Sequence, residues 1–409
     1  MKTTTLFILL FFAFQTTYPQ TWIEFTKSES TKPFYELLTS TDTIVEFKIV
    51  VPGMFSTVID TFNRVQVTGH ARMDSVGHPE IPIISYLVAI PTCDSVIMNI
   101  ELFDSIRYSN VNIYSAPELI PDTTAEGNIA LIEQFAYNRT VYEADAWFPG
   151  TVAETIDKGA IRAQAVIRVL FYPIQFNPVK KEIWAYSQAK ISLTFYNSSG
   201  TLQKEVGIFN EVVGNTLINY NSNGLNASVS CGAGLEDAGT IKWVTSFPNG
   251  YVEDTCDYLI ITHQDYYTDT VARNEIEALA QHRANFNGFD VVIIKMIDIE
   301  EEDTLAGFNN KDKMRNLISN TFYQGNANHS YDGKLAYVNL FGDAFFGNNP
   351  EDECIPTHLE GYDIYFTRLT QQNGNYDNYP DIMIGRCSVD DTEQVQNVVH
   401  KIFNINYYC

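Results

Sequence analysis

The chain has 409 residues, of which 45% are hydrophobic and 19% charged, which predicts two or three domains with real cores and excludes wholesale disorder. A formal net charge of -24 argues against nucleic acid, whose binding depends on cations displacing counterions from phosphates, and against anionic membrane surfaces. The same charge suits an exported chain rich in oxygen ligands for a hard cation.

The N-terminus, "MKTTTLFILLFFAFQTTYPQ", places Lys2 before an unbroken apolar run from Leu6 to Phe14. That run is too short to span a bilayer, so residues 1–20 read as a cleaved secretory signal, and no later segment is apolar enough to cross a membrane. The expected location is secreted or cell-surface. From 21 to 221 the chain reads as strands: Asp42 to Val51, Arg64 to Met73, Ile81 to Pro91 and Val96 to Phe103 are β-branched and aromatic, with Gly, Pro and Asp between them. Ala160 to Tyr196 reads as two long strands around a turn at Asn177-Pro178, with Ile191, Leu193 and Phe195 alternating with polar partners. This half is expected to be an antiparallel β-sandwich or barrel.

Asn219 to Gly239 is rich in Asn, Ser and Gly and poor in bulky side chains. Such a stretch cannot bury enough surface to offset its ordering entropy, so 222–250 is expected to be an exposed linker where a protease would cut. From 251 to 409 the period changes. Asp257 to Thr262, Phe289 to Ile294, Leu335 to Asp343 and Asp381 to Gly385 read as buried strands. Between the first two, Ala272, Ile276, Leu279, Ala280 and Phe286 share a helix face, with Gly288 as a stop; Met314, Leu317, Ile318, Thr321 and Phe322 form a second stripe. A last helix is expected to be capped by Asp390, with Glu393 three residues on, burying Val395, Val398, Val399, Ile402 and Phe403. Strands alternating with helices at this spacing mean a parallel α/β sheet.

The six cysteines, Cys93, Cys231, Cys256, Cys354, Cys387 and Cys409, form no zinc-type cluster; Cys231 with Cys256 and Cys354 with Cys387 are candidate disulfides, against a reading as buried small hydrophobes. Cys387 ends a strand, at the edge where α/β sheets place sites. A cysteine nucleophile needs a base and an oxyanion donor pair, and the histidines nearest in sequence are His358 and His400. A structural role is the expectation for all of these, and no catalytic residue is assigned. Asn348 to Asp381 is dense in Asp, Glu and Asn, oxygen chemistry that suits Ca²⁺. Asp343, Asp381 and then Asp363 are the candidate ligands, against a reading as caps of backbone amides.

The ordered set "DYLIIT…GFDVVII…LAYVNLFGD…YPDIMIGR", preceded by "GHPEIPIISYLVAIP" and "FNPVKKEIWAYSQAKISLTF", resembles the gingipain-like family of secreted cysteine peptidases. The resemblance covers most of the chain after the signal. It implies a multidomain α+β protein: a β-rich inhibitory prodomain, then an α/β caspase-like first catalytic subdomain. It also implies structural calcium, peptide or protein substrates, the chain's own prodomain as a partner, and no organic cofactor. The family's catalytic His lies in a Gly-His-Gly context with its Cys further on. This sequence has no Gly-His-Gly, so the chain is expected to be a C-terminally truncated precursor, inactive alone, with the dyad downstream of Cys409. The same fold would serve a cell-surface sorting transpeptidase, and a third reading is a non-catalytic secreted binding or scaffold protein.

Overall fold

The structure, a computed structural model, describes residues 19–123, 129–162, 164–199, 210–220, 239–252, 256–323, 335–345, 354–358, 362–372 and 375–406. The expected signal, most of the expected linker, and the cysteines Cys231 and Cys409 lie outside the described residues. The chain divides into two compact units, one of residues 1–86, 94–156 and 168–197, the other of 87–93, 157–167 and 198–409.

The first unit is built on a five-stranded sheet in which Glu182–Tyr196 runs antiparallel to both Ile44–Val50 and Ser95–Ser109. Glu182–Tyr196 shows why this sequence makes a strand with one buried face. Ile183, Ala185, Ala189, Ile191, Leu193 and Phe195 are buried, and the residues between them are partly exposed. A three-stranded antiparallel sheet joins Gln20–Glu24, Gly53–Ile59 and Phe62–Gln66. The expected single long strand from 160 to 177 is instead three pieces, Ala153–Ile161, Gln164–Phe171 and Ile174–Asn177. The break at 162 has a backbone cause: Arg162 takes a left-handed φ of 53°, which a strand cannot contain but a tight turn requires.

The second unit holds a five-stranded parallel sheet in the order Ile241–Trp243, Val291–Lys295, Tyr258–Thr262, Tyr337–Phe341, Met383–Cys387. The helix Thr270–Asn287 buries Ala272, Ile276, Leu279, Ala280 and Ala284 on one sheet face, together with Val395 and Val399 of the helix Thr392–Asn406. Asp269 caps the first helix by accepting from Val271 N and Ala272 N, and Gly288 ends it with φ 69°. The helix Asn310–Phe322 buries Met314, Leu317, Ile318 and Phe322 in the core on the opposite face. Helices on both faces are what a parallel sheet needs: the three central strands are thereby largely buried, while the edge strands Ile241–Trp243 and Met383–Cys387 stay partly exposed. Taken together, the architecture is multidomain α+β, with antiparallel sheets preceding a parallel α/β unit.

Three local expectations are corrected. Ile241–Trp243, placed by composition in the linker, is a strand paired with Val291–Ile293; the Trp243 indole donates to Glu277 at 2.8 Å, with the Arg273 guanidinium over its ring. Asn219, placed at the linker's start, is buried and clasps both main-chain groups of Ala89 at 2.7 and 2.9 Å. The last helix is capped one residue later than expected: Asp391 accepts from Gln394 N at 2.8 Å, and the Gln394 side chain accepts from Asp390 N at 3.2 Å. No helix among the described residues is long and apolar enough to cross a membrane.

Leu279 is fully buried, and deleting most of its side chain leaves a cavity between helix and sheet. Leu279→Ala is expected to destabilise the chain by about 2–5 kcal/mol, read as a lower urea midpoint by far-ultraviolet circular dichroism. Exposed Asn285→Ala should leave the midpoint nearly unchanged.

Candidate functional site

In this sheet the chain moves outward from Tyr258–Thr262 to Val291–Lys295, then crosses back to Tyr337–Phe341. The strand order therefore reverses between Tyr258–Thr262 and Tyr337–Phe341, and ligands of open α/β sheets bind beyond the carboxyl ends of strands at such a point. His263 and Gly342 stand there, with His263 N donating to Phe341 O at 3.2 Å. Gly342 has φ 142°, a conformation in which a side chain would be strained. The His263 ring caps the short helix Gln264–Thr268, its Nδ1 accepting from Asp265 N at 3.4 Å.

Beside this crevice the organising group is Arg386, whose side chain is 7% exposed. Its Nε and Nη2 grip Asp363 at 2.9 and 2.8 Å in a two-point ion pair. Nη1 donates to the carbonyls of Gly342, Asp343 and Ile355, and Nη2 also to Pro356. A buried guanidinium is tolerable only when its donors are met in this way. Arg386 lies within the strand Met383–Cys387, so one side chain ties the sheet's last strand to the segments 342–343, 355–356 and 363.

The three candidate metal ligands are placed as follows. Asp363 spends both oxygens on Arg386 and one also on the Thr357 hydroxyl. Asp343 accepts from Ala344 N through its carboxylate and from Arg386 through its carbonyl. Asp381 is fully buried and accepts from Leu369 N, Thr370 N, the Thr370 hydroxyl and Arg162 N at 2.7 to 3.2 Å. Asp343 and Asp363 thus meet through Arg386, while Asp381 serves a separate amide cluster. A calcium ion needs oxygens that face a common point with free lone pairs. Asp381 has its lone pairs filled by N–H and O–H donors, Asp363 already has the Arg386 cation on both oxygens, and no three acidic, His or Cys side chains among the described residues converge as a metal site requires. These positions do not fit the ion, and the acids at 348–353 and 359–361 lie outside the described residues.

Cys387 donates to Asn339 Oδ1 at 3.5 Å, and burial pushes its thiol up to about 11, the opposite of what a thiolate nucleophile needs. Burial also raises the Cys256 thiol. Both are free, so neither candidate disulfide is formed. His358 is stacked on Tyr365, and His400 faces Glu275 at 3.5 Å. None of the free thiols, Cys93, Cys256 and Cys387, has an imidazole partner among the described residues.

Sequence reasoning passed over Asp377, Tyr379 and Arg162. The alternation Asp377-x-Tyr379-x-Asp381 before a buried strand was a readable signal, since it puts two acids and a ring on one side of an extended segment. In the structure Asp377 accepts from Ala160 N and Tyr379 N, and the Arg162 guanidinium reaches Leu335 O at 3.2 Å. A further cavity of about 410 Å³ is lined by Tyr258, Arg283, Asn339, Met383 and Cys387.

The Propeptide_C25 profile matches residues 28–227, and that of Peptidase family C25 matches residues 251–407. The chain is a gingipain-like member of peptidase family C25. This C25 chain is similar to Lys-gingipain HG66 and Lys-gingipain W83 of Porphyromonas gingivalis, each 23% identical over 137 residues. The aligned stretch covers 33% of this chain and 8% of each relative, so the chain spans a small fraction of their length. Among solved structures it is similar to the complex of Porphyromonas gingivalis RgpB pro- and mature domains, at 20% identity and TM-score 0.38, covering 46% of this chain and 98% of that one. It is also similar to a structure on the zymogenic latency of gingipain K from Porphyromonas gingivalis, at 15% identity and TM-score 0.37, covering 44% and 100%.

Two outcomes test the site of this C25 chain. Arg386→Met leaves the half-buried Asp363 and four carbonyls without their shared cation and is expected to cost about 3–5 kcal/mol in urea unfolding. Adding Asp363→Leu should recover much of that loss, because no unpaired charge then remains. The second outcome concerns pH. Burial, helped by Asp377, pushes the Asp381 carboxyl from 3.8 up to about 7, against the pull of the Thr370 and Leu369 amides. The native state then holds this proton more tightly than the unfolded chain. Its contribution to stability is full below pH 3.8 and is lost as pH rises through about 7. The melting temperature should therefore carry a component that falls from pH 5 to pH 8, and Asp381→Asn should flatten it.

Proposed function

We propose that the chain is the precursor portion of a secreted gingipain-like cysteine endopeptidase: a signal peptide, a propeptide part and the first part of the peptidase. The observation that carries this reading is the tandem match of a C25 propeptide at 28–227 and a C25 peptidase at 251–407. In a cysteine peptidase a thiolate attacks the peptide carbonyl, and an imidazole takes and returns the proton as the acyl-enzyme forms and hydrolyses. The half-buried, amide-bonded Cys387, whose thiol is pushed up to about 11, is poorly suited to the first role, and His263 is committed as a cap. The reading therefore assigns that pair to polypeptide downstream of residue 409 and gives the 409 residues no hydrolytic turnover of their own. Peptide and protein substrates, export through residues 1–20 and latency imposed by the propeptide part belong to the same reading.

The coding sequence beyond Cys409 tests it. A continuing frame with a Gly-His-Gly and a later Cys is expected, and its full product should be labelled by a cysteine-directed peptidyl probe that leaves the 409-residue chain unlabelled. A continuing frame without those residues, or probe-dependent labelling of the 409-residue chain, overturns it.

A further inference from the structure

The strand Ala153–Ile161 is outermost in its sheet, bonded on one side to Gln164–Phe171. Its other edge would leave main-chain N–H and C=O groups bare, which proteins seldom tolerate. Over residues 157–162, all within the second unit, side chains close that edge where another strand would normally do so. Asp377 Oδ2 accepts from Ala160 N at 2.8 Å and Asp381 Oδ1 from Arg162 N at 3.2 Å. The Tyr379 hydroxyl donates to Asp157 O at 2.5 Å, and Asn378 Nδ2 donates to the Asp157 carboxylate at 3.3 Å. Ala160 N belongs to the strand and Arg162 N to the turn that ends it, so the two carboxylates take one amide from the edge and one from the tip.

Steric fit adds a second and independent constraint. A Cβ at Gly159 would stand 2.5 and 2.7 Å from two ring carbons of Tyr379 and 3.1 Å from Asp377 Oδ2. The ring is 2% exposed and packed with Ala89, Ile161, Val166 and Leu217, so it has no space into which to retreat.

We propose that Asp377, Tyr379 and Asp381 form a receptor that holds the propeptide part on the peptidase part by reading the main chain of residues 157–162, with Gly159 as the residue that makes this tip acceptable. The proposal rests on the propeptide and peptidase reading above. The receptor fits a partner of stated chemistry: an extended hairpin tip with two outward amides and no side chain at the position facing Tyr379. Because the amide contacts are not ion pairs, they carry no charge requirement on the tip, and the side chain at 159 decides what enters.

The full chain, with a sequence-specific protease site engineered between 221 and 238, tests this without any peptidase assay. After cutting, the two pieces of the parent are expected to co-elute in native size-exclusion chromatography. Gly159→Val should weaken their association by roughly 100-fold, and Asp377→Ala by roughly 10-fold, the range for a lost buried hydrogen bond or a clash of this kind. Circular dichroism of each uncut variant establishes that it folds, and Asp377→Ala stands alone should Gly159→Val not fold. Parent pieces that separate on cutting, or folded variants whose pieces hold as tightly as the parent's, overturn the receptor. Failure here leaves the peptidase reading standing, since that reading is decided by the downstream coding sequence.

Discussion

A carboxylate removed from water must be surrounded by donors, and Asp381 shows how much structure that requirement recruits. Its two oxygens collect Leu369 N, Thr370 N, the Thr370 hydroxyl and Arg162 N. Three of the four donors are backbone amides, and the chain that carries them is thereby fixed: the loop at 369–370 and the hairpin tip at 162. The cost of burying a charge is so large that the group either gathers such partners or shifts its titration. Asp381 does both, which is why it can sit fully buried immediately before the last strand of the parallel sheet.

Arg386 solves the mirror problem a few residues later. Its guanidinium meets one carboxylate and four carbonyls, and the planar fork of donors is what allows so many directions to be satisfied at once. Between them, an acid that needs amides and a cation that needs carbonyls determine where the irregular backbone around the sheet's carboxyl edge can go. The apolar cores on the two sheet faces supply most of the stability, but apolar contact is non-directional. The two buried charges supply direction.

Much of the fold was legible because it is periodic. The stripe Ala272, Ile276, Leu279, Ala280 and the alternation along Ile191, Leu193, Phe195 are repeated signals, and both fall on buried faces. What escaped was set by single residues whose roles depend on distant partners. Nothing local says that Asn219 will meet Ala89, that Ile241–Trp243 will find Val291–Ile293, or that Arg162 will turn left-handed. The candidate site was legible only as composition. Asp343, Asp363 and Asp381 were singled out as candidate metal ligands, but an acid-dense loop looks the same whether its oxygens await a cation or are filled by other donors. The family resemblance rested on segment order, which the paired C25 matches uphold.

Trp243 has a consequence of a different kind. Of the four tryptophans in the chain, Trp22, Trp147 and Trp184 belong to the first unit and Trp243 alone to the second. Its indole is bonded to Glu277 and overlain by Arg273, so its emission should respond to separation of the outermost strand from the neighbouring helix. Substituting phenylalanine for the other three would leave a single native fluorophore, reporting on the parallel sheet without an attached dye.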